Sequence, residues 1–93
     1  MDIRTALREF IASNFYVGDG IGDDESLLET GILDSTGVLE VVNFLETQFG
    51  IELADGDIVP ENLETVTRMS TFVARRLEVE AERGAAALRS AAS

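Results

Sequence analysis

Apolar residues along the N-terminal segment MDIRTALREFIASNFY recur at Ile3, Leu7, Phe10, Ile11 and Phe15. That spacing marks one buried face of a helix, with charged and small polar residues between. Gly18 and Gly20 in VGDG are expected to stop it. Residues 17–33, VGDGIGDDESLLETGIL, keep no period, yet Ile21, Leu27, Leu28, Ile32 and Leu33 are scattered along them. The stretch reads as a long loop pinned to a core by those side chains. A short helical turn around Ser26 to Thr30 would ease its unusual length.

Periodicity returns from Ser35 to Phe49, where Val38, Val42, Leu45 and Phe49 share one helical face and Val41 lies beside them. Gly50 predicts a left-handed stop, with Ile51 folding back on the last turn as in a Schellman motif. Pro60 suits the first turn of a short third helix, where its missing amide costs nothing. Thr65 is placed to cap a fourth helix with Val66, Met69, Phe72, Val73 and Leu77 on its inner face. This helix is expected to reach Arg83 and stop before Gly84. No internal repeat or useful β alternation occurs. The expected fold is all-α: a four-helix bundle of three longer helices and one short one, with a long loop between the first two. Residues 1–83 form the domain, and 84–93 read as a disordered tail with little to bury.

Composition narrows the class. The chain has 93 residues, enough for one small domain, and 45% of them are apolar. That share supports a packed core despite a net charge of −11, since disordered acidic chains are poor in apolar residues. Without cysteine there is no disulfide framework and no thiolate metal site. No apolar run approaches the roughly 18 residues of a membrane span, and MDIRTALREF lacks the apolar region of a signal peptide. A soluble, cytoplasmic monomer is expected.

Charge is also unevenly placed. All seven cations are arginines, and none lies between Glu9 and Thr67. That stretch carries Glu9, Asp19, Asp23, Asp24, Glu25, Glu29, Asp34, Glu40, Glu46, Glu52, Asp55, Asp57, Glu61 and Glu64 without a local partner. Such a surface either serves solubility or steers basic partners in. Nucleic acid is disfavoured, because its phosphates would be repelled.

Catalytic chemistry finds little to work with. A serine nucleophile needs a neighbouring base, and the chain has no histidine or lysine to act beside Ser35. Calcium-loop spacing fails from Asp19, where Ile21, Asp24 and Thr30 fall on liganding or glycine positions, and from Asp55, where Val59 and Val66 do. Asp23 and Asp24 read as solvated loop carboxylates. The chain is expected to hold no metal and not to be an enzyme. What stands out is Asp34-Ser35 at the start of the second helix. Either residue is an ordinary N-cap. A serine displayed there is also suited to modification, because the free amides and positive end of the helix favour an attached phosphate.

LDSTGVLEVVNFLETQFGIEL resembles the phosphopantetheine attachment region of acyl carrier proteins, and the similarity extends over about residues 2–80. It implies a four-helix bundle that carries acyl groups as thioesters on a 4′-phosphopantetheine arm derived from coenzyme A. Ser35 would be the attachment site. Asp34 would help position the metal when a holo-carrier synthase, or phosphopantetheinyl transferase, adds the arm. The second helix would be the recognition helix, presenting Thr36, Leu39, Glu40, Asn43, Glu46 and Thr47 to basic patches on acyl-loading and acyl-transfer enzymes. Val41, Val42, Leu45 and Phe49 would form a wall for the acyl chain as well as core.

Two positions depart from the family pattern. Thr36 stands where the family has Leu or Met, and Gly37 where fatty-acid carriers have a polar residue. These departures point to a carrier for a specialised lipid, polyketide or related pathway, with simple tolerance of glycine or a slimmer docking site as readings of Gly37. An aminoacyl or peptidyl carrier, an acidic interaction module in which Ser35 is only a cap, and a phosphorylated switch at Ser35 remain the alternatives.

Overall fold

Among the described residues the regular structure is four α-helices and one 3₁₀ turn: α1 (Ile3–Asn14), α2 (Ser35–Phe49), the 3₁₀ turn (Asp55–Asp57), α3 (Pro60–Leu63) and α4 (Val66–Ala92). The computed structural model describes all residues except Met1, Tyr16, Gly18, Asp19 and Ser93, with side chains described as far as Glu82. No strand occurs among the described residues.

α1 begins where the Asp2 carboxylate accepts the Thr5 amide at 3.1 Å and the Thr5 hydroxyl at 2.9 Å, satisfying one of the free donors of a first turn. It stops at Asn14, ahead of the glycines expected to end it. The cause is Phe15, which takes extended angles while its amide still donates to the Ile11 carbonyl at 2.9 Å. Its ring then meets Phe10 edge-on, centroids 6.0 Å apart.

The long connection to α2 is held at several points. Leu27 and Leu33 are buried in the core. Ser26 to Gly31 form the anticipated turn, in which the Thr30 amide reaches the Ser26 carbonyl at 3.1 Å. The Leu27 amide donates to the Glu64 carbonyl at 2.8 Å, and the Thr67 amide to the Asp23 carbonyl at 3.0 Å. The second bond fills a first-turn donor of α4 that no residue of α4 can reach. Asp23 accepts from Arg4 at 2.7 Å and also from Arg8, so two guanidiniums of α1 grip the loop. Arg76 does the same for the α2–α3 connection. It pairs with Asp57 at 2.9 Å, donates to the Glu52 carbonyl at 2.6 Å and lies 5.1 Å from the Phe72 ring centre. Two of the carboxylates without a local partner in sequence thus gain arginines through the fold.

Gly50 ends α2 at φ 68°, its amide bonding the Glu46 carbonyl at 3.0 Å. This is the simple left-handed cap; the second bond of a Schellman motif is absent, although Ile51 is buried as expected. Pro60 opens α3, and the Thr65 hydroxyl caps α4 by accepting the Arg68 amide at 3.0 Å. α4 does not stop before Gly84 but runs to Ala92. A lone glycine costs a helix only about 1 kcal/mol, and the alanines that follow are the best helix formers.

α4 packs against α1, α2 and α3. The core gathers Leu7 and Ile11, Val41, Val42 and Leu45, Leu63, and Val66, Met69 and Val73, closed by Leu27, Leu33 and Ile51. Each large side chain so buried stabilises the fold by roughly 1.5–3 kcal/mol. One polar atom in this interior, Ser70 Oγ, has no hydrogen-bond partner among the described residues. Among the described residues no helix is long and apolar enough to cross a membrane.

Candidate functional site

The Asp34-Ser35 pair divides its duties. Asp34 is the N-cap of α2, in extended conformation, and its Oδ1 accepts the Gly37 amide at 2.7 Å. Its carbonyl accepts the Val38 amide at 2.9 Å. Ser35 is therefore the first residue inside the helix. It is exposed, and among the described residues its hydroxyl has no hydrogen-bond partner. Among the described residues the amides of Ser35 and Thr36 also have no partner, so the start of α2 keeps two free donors near that hydroxyl. The reading in which Ser35 itself is the cap is excluded by this geometry.

Gly37 faces inward. A β-carbon there would lie 3.0 Å from Phe15 Cε1, 3.2 Å from Leu33 Cδ2 and 3.4 Å from Asp34 Oδ1. A side chain at this position would crowd the end of α1, which gives the glycine a packing reason.

Of the residues expected on the recognition face, Thr36, Leu39, Glu40, Asn43 and Thr47 are exposed, Leu39 at 64%. Leu39 follows Ser35 by four residues and stands on the same side of α2. Glu46 is placed differently: it is half-buried and its Oε2 accepts the Leu53 amide at 3.0 Å, bracing the chain after the helix. Val41, Val42 and Leu45 lie in the core, and Phe49 is half-buried, its ring edge-on to Phe44 at 6.0 Å.

An apolar cavity of about 80 Å³ is lined instead by Leu28, Val38, Ile58, Val59, Pro60 and Leu63. Val38 lies one turn after Ser35, which sets this cavity on the Ser35 side of α2. Sequence periodicity marked Val38 only as part of the helix face, and the other five residues come from the loop and from the approach to and body of α3. No three potential metal ligands gather among the described residues.

Electrostatically the site is one-signed. Asp34 and Glu40 flank Ser35 and Leu39 on α2, which carries no cation. Asp23, by contrast, keeps its charge to lower pH than an ordinary carboxylate, chiefly because Arg4 and Arg8 hydrogen-bond it.

A family profile described as the phosphopantetheine attachment site matches residues 5–73. The chain is 32% identical over 87 residues to "Probable acyl carrier protein PigG" of a Serratia species, covering 91% of this chain and 99% of that one. It is 34% identical over 73 residues to "Acyl carrier protein 2" of Pseudomonas aeruginosa, covering 77% and 90%. A helical bundle with an exposed, unengaged serine opening its second helix, matched by that profile over most of its length, belongs to the acyl carrier protein family, whose members are carriers rather than catalysts and use a covalently attached 4′-phosphopantetheine.

Proposed function

We propose that Ser35 is the attachment residue and that the chain delivers acyl groups to partner enzymes of a specialised lipid, polyketide or related pathway. The observation that carries this reading is the free, exposed hydroxyl of Ser35 beside a cap already supplied by Asp34. A single accessible hydroxyl fits the group, which needs one ester bond and no enclosing pocket. When attached, the group supplies a terminal thiol on which acyl chains ride as thioesters.

The chain's own residues have limited but definite tasks. Ser35 Oγ would form the new oxygen–phosphorus bond as the pyrophosphate linkage of coenzyme A breaks and the adenosine bisphosphate leaves, and would give its proton to a base brought by the transferase, since this chain has no histidine or lysine. Asp34 holds the first turn through Oδ1, which leaves its other oxygen free for a cation that the transferase carries. Thr36, Leu39, Glu40, Asn43 and Thr47 form the docking face toward enzymes with basic patches, and Glu46 supports it from behind. Leu28, Val38, Ile58, Val59, Pro60 and Leu63 offer a cargo only a small apolar recess, which favours a short or modified acyl group. Residues 1–83 make up the carrier unit in this reading, acting as a monomer in the cytoplasm.

Incubation with coenzyme A and a broad-specificity phosphopantetheinyl transferase tests the assignment. Intact-mass analysis should show one added arm on the parent and none on Ser35→Ala. A parent left unmodified by several such transferases, or an arm that persists on Ser35→Ala, overturns it.

A further inference from the structure

The rings of Phe10 from α1 and Phe44 from α2 stack with centroids 4.1 Å apart and planes 19° apart. Both are only half-buried. Concavities open on either flank of the pair, one of about 300 Å³ that includes Glu9 and Ser13 and one of about 430 Å³ that includes Glu40, Asn43 and Thr47. Asn14 of α1 borders both. The result is a groove with an aromatic floor and a carboxylate on each rim, Glu9 from α1 and Glu40 from α2.

Among the described residues no arginine lines either concavity. The two arginines of α1 are drawn to Asp23. The groove therefore presents apolar surface under uncompensated negative charge, a combination that suits a segment with an apolar anchor between cations. A second copy of this chain is a poor occupant, since it brings a further net charge of −11.

We propose that this α1–α2 groove is a docking surface for a basic amphipathic segment of a partner enzyme. An apolar side chain of that segment seats on the Phe10–Phe44 pair, and Arg or Lys residues on its flanks reach Glu9 and Glu40. The proposal rests on the carrier reading above and deepens it. Partners then grip the protein from two sides of α2, and α1 joins in recognition through Glu9, Phe10 and Asn14.

The test uses a 14-residue helix-forming peptide with leucines on one face and arginines beside them, with a scrambled control, titrated at low salt into ¹⁵N-labelled protein. Saturable shifts should centre on Phe10, Asn14, Asn43 and Phe44, with contacts from leucine methyls to both rings. The scrambled peptide should bind more weakly. Glu9→Lys, which alters an exposed residue, should weaken binding on the order of fivefold. Shifts confined to Thr36, Leu39 and Glu40, with Glu9→Lys binding like the parent, overturn the groove. So do diffuse shifts produced equally by the scrambled peptide, or concentration-dependent shifts at the same residues without peptide, which would seat a second copy there. Arm attachment at Ser35, read by mass, is independent of all these outcomes and separates failure of the groove from failure of the carrier reading.

Discussion

The ring of Phe15 closes over the backbone of Gly37, its Cε1 standing 3.0 Å from where a β-carbon on that residue would lie. The last turn of α1 and the first turn of α2 are thereby locked together, next to Ser35. Replacing glycine by alanine in a helix ordinarily stabilises, but here the added methyl would crowd Phe15 and Leu33, which must give by a few tenths of an ångström. Gly37→Ala should destabilise the parent by about 1 kcal/mol and stabilise a Phe15→Ala background. Urea denaturation of the four proteins of this cycle measures the reversal.

Asp34 and Ser35 should separate cleanly. Asp34→Ala removes the cap and should cost about 1 kcal/mol. Ser35→Ala removes a hydroxyl without a partner and should stay within about 0.5 kcal/mol of the parent. Asp34→Asn, which preserves a capping oxygen, should keep stability but slow arm attachment. Denaturant midpoints and a time course of the mass shift report the two properties separately.

Asp23 gives the stability of the fold an acid-sensitive component. Arg4 first and Arg8 second lower its pKa, so the unfolded chain binds this proton more tightly than the folded one. The contribution is complete above the ordinary carboxylate range and is lost as pH falls through the lowered value. Asp57 follows the same sign, through the Ala54 amide first and Arg76 second. The parent should therefore exceed Asp23→Asn in stability at neutral pH, with the gap closing in acid. A gap that stays constant between about pH 6 and pH 2 would contradict the role of these arginines.

Ser70 has the opposite character. Its buried hydroxyl lacks a partner among the described residues, which carries a desolvation cost without a compensating bond. Ser70→Ala should raise stability by about 1–2 kcal/mol, helix propensity included. Thermal and denaturant unfolding should agree on the gain.

Glu40 and Glu46 are both carboxylates of α2, but only Glu40 is fully outward. Glu40→Lys should slow association with a basic phosphopantetheinyl transferase at low salt and leave folding unchanged. Glu46→Lys loses the bond to the Leu53 amide and should cost about 1 kcal/mol of stability. Stopped-flow association rates beside denaturation curves distinguish them.

Local signals carried well from sequence to fold. The apolar spacing of α1, α2 and α4 repeats within each element, Pro60 and Thr65 declare helix starts, and Gly50 declares a stop. Asp34-Ser35 was visible as a pair, but its division of labour was not, because either side chain can cap and only backbone geometry decides. What escaped was contact between distant segments. Phe15 ends α1 by packing on Gly37, twenty-two positions on. Arg4 and Arg8 reach Asp23, and Arg76 reaches Asp57. The apolar recess draws on Leu28 and on residues 58–63, whose spacing shares no period with Val38.

The arrangement at the start of α2 has a thermodynamic corollary. Asp34 secures the helix by itself, so esterifying Ser35 breaks no bond belonging to the native state. With Ser35 as the proposed attachment residue, the phosphate of the arm would sit at the positive end of α2, which should itself stabilise the folded helix. The rise in melting temperature of the acylated protein over the protein bearing the bare arm then gauges how much of the passenger is sheltered, because the phosphate's contribution is common to both.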